Sequence, residues 1–428
     1  MSRRRPSFRA FVRRRWRALG LILVLLAGSL LVLVVTDRGH DPMWDARGSA
    51  LIDQAIPSPD GKVVYSLVRE SGNISRLEAR SGASGVLLWG SPMNATRALL
   101  AAGEGSVAVA TDFPRASLTV YGDDGVPRMQ AWIEGGNPRA LAQDSTRTAL
   151  ALQGRRNSVS IYENGQLSST MFFPSFVNSL DLRAGRLAVG TGDGNVVVFS
   201  PEAQPVLNTS LPMSVHSLRL DHDASTLLVG GYSLTPGDLS GALALLRVGD
   251  AAPLRWLHNT SAGIGLVDLD GAGILALAVE GSLPRHTITM LDGGTGALRW
   301  SRTVDGIVPR DDAGAFGGAA LSPDGAHVIV ATIRGPVQAF TATSGHPEWT
   351  FRSEGSSVVR FAREAPDVFV ADGRLSPNGP YDALFLFSMT QEPTVGKLPQ
   401  LAGALVLASI VAASMVLGVG YWRLRRAY

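Results

Sequence analysis

Residues 322–349 read SPDGAHVIVATIRGPVQAFTATSGHPEW. Ser-Pro-Asp-Gly is a turn: Pro pre-sets its own φ, Asp bonds nearby backbone, and Gly takes the left-handed conformation. AHVIVAT and PVQAF are short, β-branched or aromatic apolar runs, and a glycine turn separates the second from a tryptophan. Runs this short, bounded by turns on both sides, predict consecutive strands of an antiparallel sheet rather than helix.

The same grammar recurs in both directions along the chain. SPDG stands at 58–61, DSTR at 144–147 and DHDAS at 221–225, each before an apolar run such as KVVYSLV, TALALQ or TLLVGGY. A second run follows, as in SLTVY, SVSIY, NVVVFS, ALALLRV and HTITML, then a Gly-rich turn and often a tryptophan: Trp89, Trp132, Trp256, Trp300, Trp349. Eight copies begin near Ala55, Ala98, Ala140, Ser179, Ser217, Leu266, Ala319 and Val358. Four strands in each unit of about 40–45 residues is the length of a β-propeller blade. The expected fold is therefore an all-β, eight-bladed propeller over 44–388, with seven blades as the alternative. The eighth copy supplies only three strands, so its outer strand is expected from the chain start, around Trp44–Ile52. Such closure removes two open sheet edges.

TGALRW (Thr295–Trp300) and SGHPEW (Ser344–Trp349) resemble the TG…W ending of quinoprotein-type repeats, with SGASGVLLW (Ser81–Trp89) a looser match. SPDG followed by an apolar strand resembles WD40-like and TolB-like propellers. The resemblance covers roughly residues 44–388 and implies a propeller; it says little about function. Membrane-associated members of this group serve as interaction scaffolds, which makes a scaffold the expectation here. Many quinone-using relatives need a vicinal cysteine pair at the cofactor. The chain contains no cysteine, so that arrangement is closed to it, and no cofactor is expected.

Outside the repeats lie two uncharged runs. Ala18–Val35 has 18 residues and Leu401–Trp422 has 22; at about 1.5 Å rise per residue each spans a bilayer core as a helix. Eight arginines precede the first and three follow the second, with no acid in either flank. Positive flanks stay cytoplasmic. The reading is a two-pass integral protein of the cell membrane: a basic arm (1–17), a membrane helix (18–35), a linker (36–43), an extracytoplasmic propeller (44–388), a linker (389–400), a membrane helix (401–422) and a basic tail (423–428). No small-x-small cleavage site follows Val35, which favours an anchor over a removed signal peptide. Ala404, Ala408 and Ala412 give the second helix a four-residue spacing of small side chains that would permit close helix contact.

The formal charge of +3 belongs to these ends. Residues 37–400 hold 28 Lys/Arg against 36 Asp/Glu, a net −8. That is no nucleic-acid footprint. The absent cysteines also rule out disulfides and thiolate chemistry. The seven histidines show no metal-binding spacing. The acidic runs at Asp123-Asp124, Asp221-His222-Asp223, Asp268-Leu269-Asp270 and Asp292 read as turns, and GxSxG, P-loop and Rossmann signatures are missing. Asn73, Asn94, Asn208 and Asn259 head N-x-S/T sequons, which fit an exported, glycosylated domain and equally fit chance.

In a propeller the connections between second and third strands, and between blades, leave one face, here called the top; the other turns leave the bottom. The bottom turns read as tight. The long connections, Gly231–Gly241, Glu280–His286, Thr303–Gly318 and Ala371–Ala383, all belong to the top of blades five to eight. Long loops on a rigid scaffold carry function. The candidate partner-contacting residues are Tyr232, Asp238, Arg285, Arg310, Asp311, Asp312, Phe316, Arg374 and Tyr381. The expected partners are the lipid bilayer and a protein. Two rival readings remain open: a quinoprotein-like ligand-binding or enzymatic domain, marked by carboxylates converging on the channel, and a structural subunit that makes its contacts through the membrane helices.

Overall fold

A computed structural model of the chain describes residues 41–47, 51–70, 72–112, 115–235, 240–282, 285–305, 318–332, 336–351, 359–373 and 383–390. The basic arm, both uncharged runs and the tail lie outside the described residues. Among the described residues no helix is long and apolar enough to cross a membrane.

Pro42–Gln391 forms one compact unit of eight four-stranded antiparallel sheets. Their inner strands are Leu51–Pro57, Ala98–Gly103, Gly136–Gln143, Val177–Arg183, Met213–Leu220, Ile264–Leu269, Ala319–Leu321 and Val359–Phe361. Each touches the next and the last touches the first, so the ring closes with eight blades. Every expected copy start falls within one of these strands or one residue before it.

Burial follows position in the blade. Inner and second strands are apolar on both faces because each blade is sandwiched between neighbours; Ala98–Gly103 is buried throughout. Outer strands alternate, as in Leu87–Ala95, since one face meets solvent. The turn between first and second strands uses one device in several spellings. Val63 N–H donates to Ser58 Oγ at 3.0 Å and His327 N–H to Ser322 Oγ at 2.9 Å. Asp144, Asp221 and Asp270 do the same with a carboxylate, accepting from Arg147, Thr226 and Leu275 N–H at 2.8–2.9 Å. The acidic runs at 221–223 and 268–270 thus include turn caps, as read from the sequence.

A second device joins blade to blade. The indole N–H of Trp89 in blade one donates to Asp123 O of blade two at 2.7 Å, Trp256 of blade five to Gly293 O of blade six at 2.8 Å, and Trp300 of blade six to Ala342 O of blade seven at 2.6 Å. Each ring lies flat on a glycine of the turn it caps. At Gly125, Gly296 and Gly345 φ is +66° to +76°, and a Cβ would fall 2.7–2.8 Å from the indole. Glycine is needed there for conformation and for space.

The last blade closes as anticipated in kind, with a correction in extent. Its outer strand is Trp44–Arg47, paired antiparallel with Ala383–Ser388 through Trp44↔Leu386 and Arg47↔Ala383. Leu51 and Ile52 instead begin the inner strand of blade one. The expected single strand Trp44–Ile52 is therefore parts of two. Trp44 makes the interblade contact too, donating to Gly82 O at 2.8 Å over Gly85. Since the closing strand starts where the strand Ala383–Ser388 ends, both ends of the unit leave from the bottom face.

Candidate functional site

Strand direction places the ends of the long connections on the top face, as expected. The extent of two needs correction. Strands run through Ser233 and to Ser282, and resume at Arg285, which pairs with Ser282 and Asp305. Glu280–His286 is thus a tight hairpin with two residues between strands, not a long loop. Asp238, Arg310, Asp311, Asp312, Phe316, Arg374 and Tyr381 lie outside the described residues, and only the backbone of Arg285 is described. Tyr232 is half-buried. Its ring stands edge-on to His216 at 4.6 Å and covers Gly263 of blade six, where a Cβ would lie 1.9 Å from it. Much of that side chain is already spent on packing. The four sequon asparagines are exposed. Asn73 begins a third strand, and Asn94, Asn208 and Asn259 sit toward the ends of outer strands, all on the top half of their blades.

The top face also holds side chains that reading the sequence did not single out. Trp132 ends the outer strand Pro127–Trp132 and is 56 % exposed; Phe172 is 62 % exposed near the end of Gln166–Phe173. Phe176, in the connection to blade four, is half exposed. The guanidinium of Arg115 lies 5.4 Å from the Trp132 ring and that of Arg156 lies 5.9 Å from Phe172. Such cation–π pairs at exposed sites contribute about 0.5–1 kcal/mol. Trp132 had been grouped with the turn-capping tryptophans. Those stand third in their strands, whereas Trp132 stands sixth, at the opposite end. That offset was the available signal.

In the channel, six charged side chains converge. Arg219 Nε donates to Asp268 Oδ1 at 2.8 Å and its Nη1 lies 3.8 Å from Asp181. Arg363 donates to Asp181 Oδ1 at 3.1 Å and, more loosely, to Leu182 O. The remaining carboxylate oxygens accept backbone N–H groups of neighbouring blades: Leu220 on Asp181 at 2.9 Å, Leu321 on Asp268 at 3.0 Å. Burial alone would raise the Asp181 pKa, but Arg219 and Arg363 hold it below its ordinary value. Burial, together with Arg363, pushes Arg183 down to about 10. Burial drives Arg360 well down, with Arg219 and Arg363 adding to it.

Beside the network remains a cavity of about 30 Å³, lined by Gln143, Asp181, Arg219, Arg360 and Arg363 among others. That is room for about one water. Both carboxylates are engaged at every oxygen and their partners are arginines, so this cluster is not the convergent free-carboxylate arrangement a catalytic channel would need. Its chemistry is that of a cross-brace. The signal for it was present as charged residues inside the apolar inner-strand runs DLR (181–183) and VVRFAR (358–363).

No protein-family model and no curated protein matches the chain. Solved structures do. It is similar to Sqt1 of Saccharomyces cerevisiae (TM-score 0.62, 12 % identity, covering 82 % of this chain and 99 % of that one). It is also similar to BamB of Moraxella catarrhalis (0.56, 11 %, 81 % and 99 %), and to the computationally designed Ika8 protein (0.60, 12 %, 81 % and 99 %). At these identities the likeness establishes the propeller fold, of the kind seen in WD40 and BamB propellers, and nothing finer.

Proposed function

We propose that the chain is a membrane-anchored, extracytoplasmic propeller with both termini cytoplasmic, acting as a non-enzymatic scaffold that holds a protein partner on its top face. The observation that carries this is the pair of exposed aromatic–arginine contacts, Trp132 with Arg115 and Phe172 with Arg156. Aromatic and arginine side chains dominate the energetics of protein interfaces, and large aromatic surface left in water is uncommon without a use. Arg155 is exposed beside Arg156, so the patch favours a segment that offers an apolar anchor flanked by carboxylates. The propeller fold, the braced channel and the uncharged flanking runs with their arginine clusters support the reading.

The test is crosslinking in native membranes with mass spectrometry, comparing wild type with the double variant Trp132→Ala/Phe172→Ala. Loss of the principal protein crosslink with unchanged thermal stability is expected. A partner retained by that variant but lost when Ala404, Ala408 and Ala412 are enlarged would move recognition into the membrane segments and overturn the top-face reading.

A further inference from the structure

On the bottom face, the residues that open the outer strands, just after each turn between third and fourth strands, have an unexpected chemistry. Leu87 in blade one, Val126 in two, Leu167 in three, Leu254 in five and Leu298 in six are all more than two-fifths exposed, as is Met43, just before the closing strand of blade eight. These positions lie at the circumference of the ring, where the alternating pattern of an outer strand would put polar side chains on the solvent side. Blades one and five are diametrically opposite in an eight-bladed ring. The apolar positions therefore do not form one patch; they are distributed around the perimeter of one face. A standard protein interface of about 800 Å² per partner is one compact patch. Only an extended, nearly planar apolar surface meets opposite sectors together.

The chain brings such a surface to this face. Both ends of the unit leave from the bottom, at Trp44 and Ser388. Linkers of eight and twelve residues separate them from the uncharged runs 18–35 and 401–422. Fully extended, these reach at most about 29 and 43 Å. On the membrane-anchored reading, this is the face from which both tethers lead to the bilayer. The charges beside the apolar positions are paired: Arg255 with Asp250, Arg299 with Asp292 and Arg128 with Asp124. With those charges neutralised, the rim offers a lipid surface its apolar area, the part of interfacial binding that needs no anionic lipid. The sequon asparagines, where bulky hydrophilic groups could be attached, all lie toward the opposite face.

We infer that the bottom rim is a lipid-contacting surface on which the propeller rests, resting in turn on the membrane-anchored reading above. The full chain, purified and reconstituted into phosphatidylcholine vesicles, tests it. With no native cysteine, single spin labels can be placed by Leu87→Cys, Leu167→Cys, Leu254→Cys and Leu298→Cys, with Thr235→Cys as a top-face reference. Paramagnetic relaxation by oxygen and by a water-soluble nickel chelate reports depth. All four rim labels should be several-fold less accessible to nickel than the Thr235 label, with raised oxygen collisions. Rim labels as open to nickel as the reference, on a chain that stays in the vesicles through alkaline extraction, would overturn the lipid-contacting rim and leave the anchoring intact. So would protection at blade one but not at the opposite blade five. Loss of the chain from the vesicles on alkaline extraction would overturn both.

Discussion

The guanidinium of Arg363, just after the inner strand of blade eight, lies 3.1 Å from the carboxylate of Asp181 in blade four. The two blades are on opposite sides of the ring, so this ion pair spans the channel. Arg219 of blade five joins it to Asp268 of blade six. The channel is held by a bridge between distant parts of the chain.

Breaking the bridge on one side leaves buried cations without their counter-ion. Asp181→Asn should cost about 3–5 kcal/mol, because Arg219 and Arg363 lose the charge that offsets their desolvation. Replacing both ends, as in Asp181→Leu with Arg363→Met, should cost less than the sum of the single changes. Urea unfolding midpoints of the two single variants and the double measure this. Strictly additive losses would show that the pair is not coupled.

Trp44 tests the closure. Trp44→Ala removes a buried indole, its hydrogen bond to Gly82 and its cover over Gly85, an expected loss of about 3–5 kcal/mol. Gly85→Ala attacks the same contact from the other side. Its φ is +68° and the added Cβ would meet the indole at 2.7 Å; about 1–2 kcal/mol for the conformation alone is expected, before the clash. Limited proteolysis of both variants should cut first in blades eight and one. An initial cut in blades three to five would mean that the ring is not weakest at its closure.

His327 and Glu348 make a pH-dependent contribution. The imidazole Nδ1 lies 2.9 Å from the carboxylate, and Thr341 Oγ1 donates to the same group at 2.8 Å. The hydrogen bond that His327 donates to Glu348 raises the His327 pKa above 6.5, against the opposing effect of burial. Burial would raise Glu348, yet its bonds to His327 and Thr341 leave it below 4.5. A raised His pKa adds stability below about pH 6.5 that is lost as pH climbs through the raised value. A lowered Glu pKa adds stability above about pH 4.5 that is lost as pH falls through the lowered one. The stability difference between wild type and His327→Gln, read from unfolding curves across pH, should be largest between these values and shrink toward alkaline pH, its maximum about 1 kcal/mol or less. A difference independent of pH would assign the contact to packing alone.

The proposed orientation rests on the arginine clusters and is open to direct labelling. A cysteine placed by Ser240→Cys should react with an impermeant thiol reagent on intact cells, and one placed by Ser2→Cys should not. Reaction of the Ser2 position alone would invert the topology.

Blade number and phase were legible in the sequence because they rest on local chemistry. The caps Ser58, Asp221 and Ser322 each sit a fixed distance before a second strand, and the turn glycines must be glycine. The boundary of the closing strand was less legible. Trp44–Arg47 and Leu51–Pro57 are both strand-forming, and their separation depends on which distant neighbour each pairs with. The channel bridge was half legible: Asp181 and Arg363 stand out as charges in apolar inner-strand runs, but which charge meets which is decided only when the ring brings them together. Trp132 was misplaced by analogy with Trp89 and Trp300, although its depth in the strand puts it at the other end of the blade.

The pairing of Trp44 with Leu386 carries a consequence for how the molecule is made. The first described strand of the unit hydrogen-bonds to the last. During synthesis blade one can fold, and so can each blade after it, but Trp44–Arg47 must wait unpaired until Ala383–Ser388 has emerged. The long sequence separation gives this contact a high closure entropy and places it late in folding. A chain truncated before residue 383 would display two unsatisfied edges to its surroundings, so incomplete products should be the aggregation-prone species.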